Sequence, residues 1–503
     1  MSQYILGIDS GGTMTKTALF DKAGKELASR FSPVTMLFPE EGFTERNPLE
    51  MWEATCKAIH SILESTGTAA DDIAAVCATG YGSGLFCIDE TGAPTCNGIV
   101  STDSRARGTI DQWESAGFKS LIESSISQRN WPGQSLVLLG WLQQHRPDVV
   151  QRTAHIFECK DYTKMRLTGN ISTDYTDAAL GGLLDLQRGD YARDLLRKIG
   201  LETWIDKLPP LVHSSDIIGE VTAEAAEQTG LRAGTPVAAG AIDVVCSCIG
   251  SGVIDGSNMS VVAGTWAIHT ALRSTKPQTE PAPLAQMPYL IPDTFLALEA
   301  GATSASNLEW CCKHVFDAEL PAAEAVGETI YEYCGRLVES RMHNPSDVLF
   351  LPYLFGGPAS ERAGFVGLEA RHTRADMVYA VYEGIVYAHK RNIDLLMASS
   401  GDMPPTGIRL AGGAARSRVW AQIFADVLGM PVEVAEGTEF GALGASICAS
   451  VGIGWNKDYK EAVKQMVRVR ERFEPNPAKR ERHDVGYQRF LQVGEALAKS
   501  WGV

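Results

Sequence analysis

A chain of 503 residues, 45% of them hydrophobic, can bury large cores and is expected to divide into two or three domains rather than one. Its 61 acidic residues outnumber 45 basic ones, and the formal charge of -16 speaks against non-specific binding to nucleic acid or to an anionic membrane surface. Eleven cysteines show no repeating zinc-ligand spacing, with Cys246/Cys248 and Cys311/Cys312 the only close pairs, and read as free thiols in a reducing compartment.

The N-terminus enters a strand at once, without a charged leader and apolar core, and no apolar run reaches the ~18 residues of a membrane span. A cytoplasmic location with no membrane partner is therefore expected. Residues 4–8, 17–21 and 26–31 alternate as three short strands of an antiparallel meander. Between the first two lies Gly7-Ile8-Asp9-Ser10-Gly11-Gly12-Thr13-Met14-Thr15-Lys16, a tight glycine turn with a carboxylate at its mouth. Glycines there permit positive φ and let backbone N–H groups approach anionic oxygens, Lys16 adds a point charge, and Asp9 suits a hydrated Mg²⁺. An ordinary hairpin with a capping aspartate is the competing reading.

Residues 48–64 carry apolar side chains at helical spacing, and 73–79 form a buried strand ending in Gly80-Tyr81-Gly82-Ser83-Gly84. Such strand ends are where α/β folds place their ligands. Residues 130–170 are predicted mostly helical, with Ser135–His145 the clearest segment, and 171–235 is looser. Residues 237–242 are predicted as a strand that delivers Asp243 at the head of an apolar helix. Asp243 is suited either to capping that helix or to taking a proton as a general base. Residues 258–263, the turn Gly264-Thr265 and residues 267–272 restate the design of residues 4–20, which points to two domains of one kind with a boundary near 250. The proline-rich stretch 276–292 is expected to be an exposed excursion, and the chain beyond Trp455 to end in charged surface helices.

Three further constellations bear on chemistry. Gly264-Thr265 offers N–H groups and a hydroxyl to a terminal phosphoryl group. Residues 408–417 run from a strand through Gly412-Gly413 to Ser417 and a helix with Trp420, Ile423 and Phe424, a glycine floor on which a nucleoside can lie. Ser101-Thr102-Asp103-Ser104-Arg105 either pairs Asp103 with Arg105 in a surface turn or, with Tyr81-Gly82-Ser83, fixes sugar hydroxyls.

In that order the motifs resemble the FGGY family of carbohydrate kinases over nearly the whole chain. Most specific is Ala363-Gly364-Phe365-Val366-Gly367-Leu368 followed after seven residues by Asp376-Met377-Val378-Tyr379-Ala380-Val381-Tyr382-Glu383, which fits the family's C-terminal signature. The N-terminal signature is matched at Gly133-Gln134-Ser135 and Trp141 to His145 but has Leu138 where the family usually has lysine. The loop Tyr81-Gly82-Ser83 stands where xylulose kinases usually show Gln-Met-His.

The resemblance implies an α/β protein of two actin-like ATPase (ribonuclease H-like) domains with a central interdomain cleft. Residues 1–247 would form the sugar-binding domain and 248–503 the nucleotide-binding domain. It implies ATP and Mg²⁺ as cofactors, a small sugar as substrate, no nucleic-acid or membrane partner, and a homodimer. Carried over residue by residue, Asp243 is the catalytic base and with Asp9 serves the metal. Gly12, Thr13, Thr15, Lys16, Gly264, Thr265, Asn307, Gly412, Gly413 and Ser417 serve the nucleotide. Tyr81, Gly82, Ser83, Asp103, Asp243 and Trp266 face the sugar. The expected reaction is in-line transfer of the ATP γ-phosphoryl group to a primary hydroxyl of a ketopentose such as L-xylulose or D-xylulose. A polyol kinase for erythritol or glycerol is the nearest alternative, and a catalytically idle regulator on the same fold is the alternative of another class.

Overall fold

The computed structural model describes residues 3–274, 283–357, 361–398 and 404–501. These form two compact units, the first comprising Met1–Ile254, Leu272–Ala297 and Gly437–Arg468, the second Asp255–Ala271, Leu298–Glu436 and Val469–Val503. The chain thus leaves the first unit and later returns to it.

The sheet of the first unit has six strands in the order Ile217–Glu220, Pro236–Ala238, Ile73–Gly80, Tyr4–Ser10, Met14–Asp21, Glu26–Pro33. Tyr4–Ser10 pairs antiparallel with Met14–Asp21, placing Ser10 opposite Thr15, and parallel with Ile73–Gly80. The expected meander is therefore present, with each strand longer than the alternation alone marked. Side chains alternate across a strand, and here the two faces carry different demands. Leu6 and Ile8 join a core with Met51, Ile59, Ile62 and Val76. That core is closed by the helix Pro48–Thr66, whose first-turn donor at Leu49 is capped by the Asn47 side chain and whose end is turned by Gly67 in a left-handed conformation.

Gly7, on the other face, meets the helix Phe440–Gly452, where a Cβ would lie 2.3 Å from the Ala442 carbonyl oxygen. The same helix meets the helix Asp243–Gly250 just as closely. A Cβ on Gly444 would stand 2.0 Å from the Cys246 carbonyl oxygen, and one on Gly250 would stand 2.2 Å from that of Phe440. Three elements remote in sequence are thus in backbone contact, which only hydrogen in place of a side chain permits.

The second sheet has seven strands, and six of them run in the corresponding order, Val469–Phe473, Val432–Ala435, Gly407–Gly412, Asn258–Ala263, Ala267–Arg273, Phe295–Gly301, with Ala285–Pro288 added beyond the last. Asn258–Ala263 pairs antiparallel with Ala267–Arg273 and parallel with Gly407–Gly412, as Tyr4–Ser10 does with its two neighbours. The duplication read from residues 4–20 and 258–272 extends to six strands of each sheet.

Three expectations need correction. The strand expected over 237–242 stops at Ala238, because Gly240 adopts φ 71° and turns the chain. The stretch expected as an exposed excursion contains the strand Ala285–Pro288, with Ala285, Gln286 and Met287 buried and Gln286 donating to the Ser127 carbonyl at 3.0 Å; its residues 276–282 lie outside the described ones. Beyond Trp455 the chain is not all helix. Between the helices Tyr459–Met466 and Arg480–Ser500, Val469–Phe473 adds an antiparallel edge strand to Val432–Ala435. Its arginines hid it from a reading of hydrophobic periodicity; one of them, Arg472, pairs across the strands with Glu433 at 2.8 Å.

The contact at Gly444 yields the first prediction. Gly444→Ala should destabilise the protein by about 1–3 kcal/mol or more, because the obstructing atoms are backbone and cannot swing aside. Gly108→Ala, in a helix where a Cβ meets nothing within 4 Å, should be neutral or stabilising by up to ~1 kcal/mol. Urea unfolding midpoints of the two variants distinguish the effects.

Candidate active site

In the first unit the turn Gly11-Gly12-Thr13 joins two strands in register, with Gly12 and Thr13 exposed. Neither glycine has positive φ, so the conformational freedom expected of them is not used. What glycine supplies instead is room: a Cβ on Gly12 would meet nothing of the protein within 4 Å. Thr15, by contrast, is fully buried and its hydroxyl is covered. Lys16 is turned to Glu439, with Nζ 3.1 Å from Oε2, and its side chain remains 38% exposed.

Asp9 lies beside this turn, with Oδ2 so near the Phe440–Gly452 helix that a Cβ on Gly441 would stand 2.6 Å from it. Burial pushes its carboxyl up to about 6; Lys16 opposes the shift and Glu439 adds to it. Asp243 is its electrostatic neighbour. Burial first, and then the charge of Asp9, hold the Asp243 carboxyl well above the usual carboxylate range. Asp243 is not the helix cap expected as one reading. It occupies the first helical position after Ile242, and its Oδ1 accepts only from the adjacent Val244 N–H, at 2.7 Å.

The backbone that leads to Asp243 is held on both sides. A Cβ on Gly240 would lie 2.0 Å from the Ala78 carbonyl oxygen, Thr79 Oγ1 donates to the Ala241 carbonyl at 2.7 Å, and Ile242 N–H donates to Thr176 Oγ1 at 3.0 Å.

The loops expected to face a sugar are more buried than their composition suggested. Ser83 sits at φ 59°, with its N–H on Glu158 Oε2 at 2.6 Å and its hydroxyl on the Leu180 carbonyl at 3.2 Å. Gly82 is packed against Ile242, and Tyr81 is buried with its hydroxyl beside Arg46 and Cys159. Asp103 is consumed by the protein: Oδ1 accepts from Arg105 N and Nε, and Oδ2 accepts from Thr44 N and Arg105 Nη2. Arg105 also bonds Glu45 at 2.8 Å and lies 3.9 Å over the Phe43 ring. The pairing of Asp103 with Arg105 is therefore real but interior, and it leaves Asp103 no lone pair for a ligand hydroxyl.

In the second unit the expected loops do come together. Ala263 and Gly412 are register partners at the ends of two parallel strands. A Cβ on Gly412 would sit 2.6 Å from the Ala263 carbonyl oxygen, and the residue adopts φ 82°. The Gly264 carbonyl accepts from Ala305 N–H at 2.9 Å, and Ser306 Oγ donates to the Thr265 carbonyl at 3.1 Å. Thr265, Trp266, Gly412 and Gly413 are exposed, so these carboxyl ends form a shelf of backbone with few side chains above it. Ser417 caps the helix Arg418–Leu428 through Trp420 N–H at 3.4 Å, and Asn307 is buried between the Ser304 carbonyl and the Leu354 N–H, each at 3.3 Å.

Sequence reading missed a fully buried charge cluster in which Lys160 Nζ lies 2.7 Å from Asp161, 2.9 Å from Asp174 and 2.7 Å from Asp177. It also missed Arg46, which is buried against Tyr81. Their only signal was charge inside otherwise core-forming segments, which in a sequence is indistinguishable from a solvated face.

Two units of one topology, a carboxylate pair raised by burial and glycine-lined strand ends define the class: an actin-like α/β protein built to handle phosphate. Residues 4–250 match the N-terminal domain of the FGGY family of carbohydrate kinases, and residues 259–453 match its C-terminal domain. L-xylulose/3-keto-L-gulonate kinase of Escherichia coli (strain K12) is 32% identical over 99% of this chain and 98% of its own length. A probable L-xylulose kinase of Pasteurella multocida (strain Pm70) is also 32% identical, over 98% of this chain and 99% of its own. The solved structure of xylulose kinase from Rhodospirillum rubrum resembles this chain with a TM-score of 0.86 at 26% identity, covering 100% of both. The chain belongs to the FGGY family of carbohydrate kinases and is an ATP-dependent sugar kinase.

Asp9 supplies a prediction. The folded protein holds its carboxyl at about 6, whereas the ordinary value is 3.8, so its contribution to stability is present while it is protonated and is lost as the pH rises through about 6. Without divalent cations, Asp9→Asn should match the parent near about pH 4 and exceed it near about pH 8 by up to about 3 kcal/mol. Unfolding midpoints at the two pH values test this; a variant less stable than the parent at the higher pH would refute it.

Proposed function

We propose that this enzyme transfers the γ-phosphoryl group of ATP to a primary hydroxyl of a ketopentose such as L-xylulose or D-xylulose, with Asp243 as general base. The observation that carries the reading is the state of Asp243: a partly buried carboxyl held well above its ordinary range by desolvation and by Asp9, on a backbone locked by Gly240, Thr79 and Thr176. A base whose affinity for protons is raised toward neutrality is the better proton acceptor. The relatives support the substrate class, since two of them are named for L-xylulose, one of these also for the sugar acid 3-keto-L-gulonate. A glycerol or erythritol kinase remains the second choice on the same geometry. An idle regulator is disfavoured because the base is present.

Roles follow for the other residues. Gly12 and Thr13 in the first unit, and Thr265, Gly412 and Gly413 in the second, offer exposed backbone and a hydroxyl to phosphate, while Gly264, its N–H held by the Trp266 carbonyl at 3.2 Å, shapes the turn. Trp266 offers an exposed ring to a ligand. Tyr81 and Gly82 belong to the sugar loop, which Ser83 and Asp103 support from within, while Thr15, Asn307 and Ser417 brace the turns assigned to the nucleotide. Lys16 restrains Glu439 and reduces the negative charge around Asp9. The division of labour is a sugar-binding portion over 1–247 and a nucleotide-binding portion over 248–503.

Mg²⁺ fits the donor set of Asp9 and Asp243. Two carboxyls raised chiefly by burial, with the charge of Asp9 felt at Asp243, suit an ion that takes one or two carboxylates and keeps several waters. Among the described residues there is no cluster of three or more His, Cys, Asp or Glu side chains that could hold a metal ion, so the remaining ligands would be water and phosphate oxygens. When bound, the ion would neutralise charge on the phosphate oxygens. Eleven free cysteines suit a reducing cytoplasm, no helix among the described residues is long and apolar enough to cross a membrane, and a homodimer is the assembly that the family resemblance implies.

Asp243→Ala should lower kcat by roughly 10²–10⁴-fold while ATP binding persists, measured by coupled ADP release and by calorimetry. Near-normal turnover would overturn the base. ADP release across L-xylulose, D-xylulose, ribulose, erythritol and glycerol ranks the substrates, and hydrolysis that no sugar stimulates would overturn the reaction.

A further inference from the structure

Asp243 follows a bend over Gly240 to Ile242, and its own side chain does little to aim it: among the described residues its carboxylate accepts only from the adjacent Val244 N–H. A general base has to lie within about 2.6–3.2 Å of the group whose proton it takes, so its direction must come from the backbone that carries it.

Both sides of that bend lead to one oxygen. Ile242 N–H donates to Thr176 Oγ1 at 3.0 Å, which obliges the Thr176 hydroxyl to point its own proton elsewhere, and it donates to Asp174 Oδ2 at 2.7 Å. Gly240 N–H donates to the Ser214 carbonyl at 2.8 Å, and the Ser214 hydroxyl donates to the same Asp174 Oδ2 at 2.9 Å. Asp174 is wholly buried, and its Oδ1 lies 2.9 Å from Lys160 Nζ. Asp174 also caps the helix Tyr175–Leu180. Capping explains its bonds to the Thr176 and Asp177 N–H groups, but neither the two hydroxyls that converge on Oδ2 nor the lysine on the other oxygen.

That lysine belongs to the buried cluster described above, in which Lys164 Nζ also lies 2.7 Å from Asp161. Withdrawing two ammonium groups and three carboxylates from water is costly, and buried ion pairs often stabilise a fold less than apolar side chains of the same volume. What the cluster provides is direction: an ammonium on one oxygen and two hydroxyls on the other leave Asp174 a single orientation. Its bonds run to the bend before the base and not to the loop Tyr81-Gly82-Ser83, where Ser83 is held by Glu158 and the Leu180 carbonyl.

We propose that Asp174, fixed by Lys160 and acting through Thr176 and Ser214, is a positioning residue that holds the Asp243 carboxylate on the line of proton transfer. This deepens the assignment of Asp243 as the base and rests on it.

The test follows coupled ADP release by the full-length enzyme, with the acceptor that the parent turns over fastest. Thr176→Val keeps the shape of the side chain but removes the acceptor of Ile242 N–H and the donor to Asp174. It should lower kcat roughly 10–100-fold, as a displacement of ~1 Å at a reacting group does, with KM for sugar and ATP within roughly threefold of the parent. Thr176→Ser restores the hydroxyl and should recover most of the loss. In the Asp243→Ala background, Thr176→Val should change kcat by less than about twofold, because residues that act through one group do not add. Parental kcat in Thr176→Val, a Thr176→Ser variant equally slow, or a loss as large without the Asp243 carboxylate as with it overturns the positioning role and leaves the base standing. Near-normal turnover of Asp243→Ala alone overturns the base, and the positioning role with it. Should Thr176→Val not fold, Ser214→Ala removes the second arm of Asp174 and decides: kcat should fall roughly 10-fold with KM held within threefold, and parental kcat overturns the proposal.

Discussion

The arrangement of the first unit depends on one close contact, the helix Phe440–Gly452 lying backbone to backbone on Tyr4–Ser10 and on Asp243–Gly250. Gly7, Gly250, Gly441 and Gly444 make it possible, since a methyl group at any of them would intrude on carbonyl or carboxylate oxygen at 2.0 to 2.6 Å. A strand from the N-terminus, a helix from the middle and a helix from the last fifth of the chain are thereby held to within a side chain's thickness. Asp9 is carried on the first and Asp243 on the second. Their separation is therefore set by interior packing, which resists deformation far better than a surface loop does.

That packing also sets the electrostatics. Both carboxyls are raised, burial being the largest cause at each; the charge of Asp9 adds to it at Asp243, while at Asp9 Lys16 opposes the shift and Glu439 adds to it. The second unit solves a different problem with similar parts. At Ala263 and Gly412 two parallel strands end side by side in glycine-containing turns, and exposed backbone takes the place that side chains would otherwise fill.

The two arginines that flank Glu45 show how burial changes the meaning of a charge. Arg105 has two carboxylates and two aromatic rings, so it serves as a structural staple for the loops around 43 and 103. Arg46 has the same chemistry and comparable burial but lies against the ring and hydroxyl of Tyr81 instead of a carboxylate.

Periodicity and turn chemistry in the sequence determined the strand–turn–strand units at both ends of the duplication, the helix over Ser135–His145 and the strand-to-helix run through Gly412-Gly413. They also marked Asp9, Asp243 and Thr265, because each of these is local: a side chain at the end of a strand or turn whose neighbours in sequence are its neighbours in space. Tertiary structure alone decided what lay between distant segments. It moved Asp103 from ligand to loop anchor, buried Thr15, ended the strand before Asp243 at Ala238, and drew the edge strand Val469–Phe473 out of a run of charges. It also placed Arg46 in the interior against Tyr81. None of these outcomes follows from spacing, since each depends on which remote atom fills the far side of a residue, and that is fixed only when the helices and sheets pack.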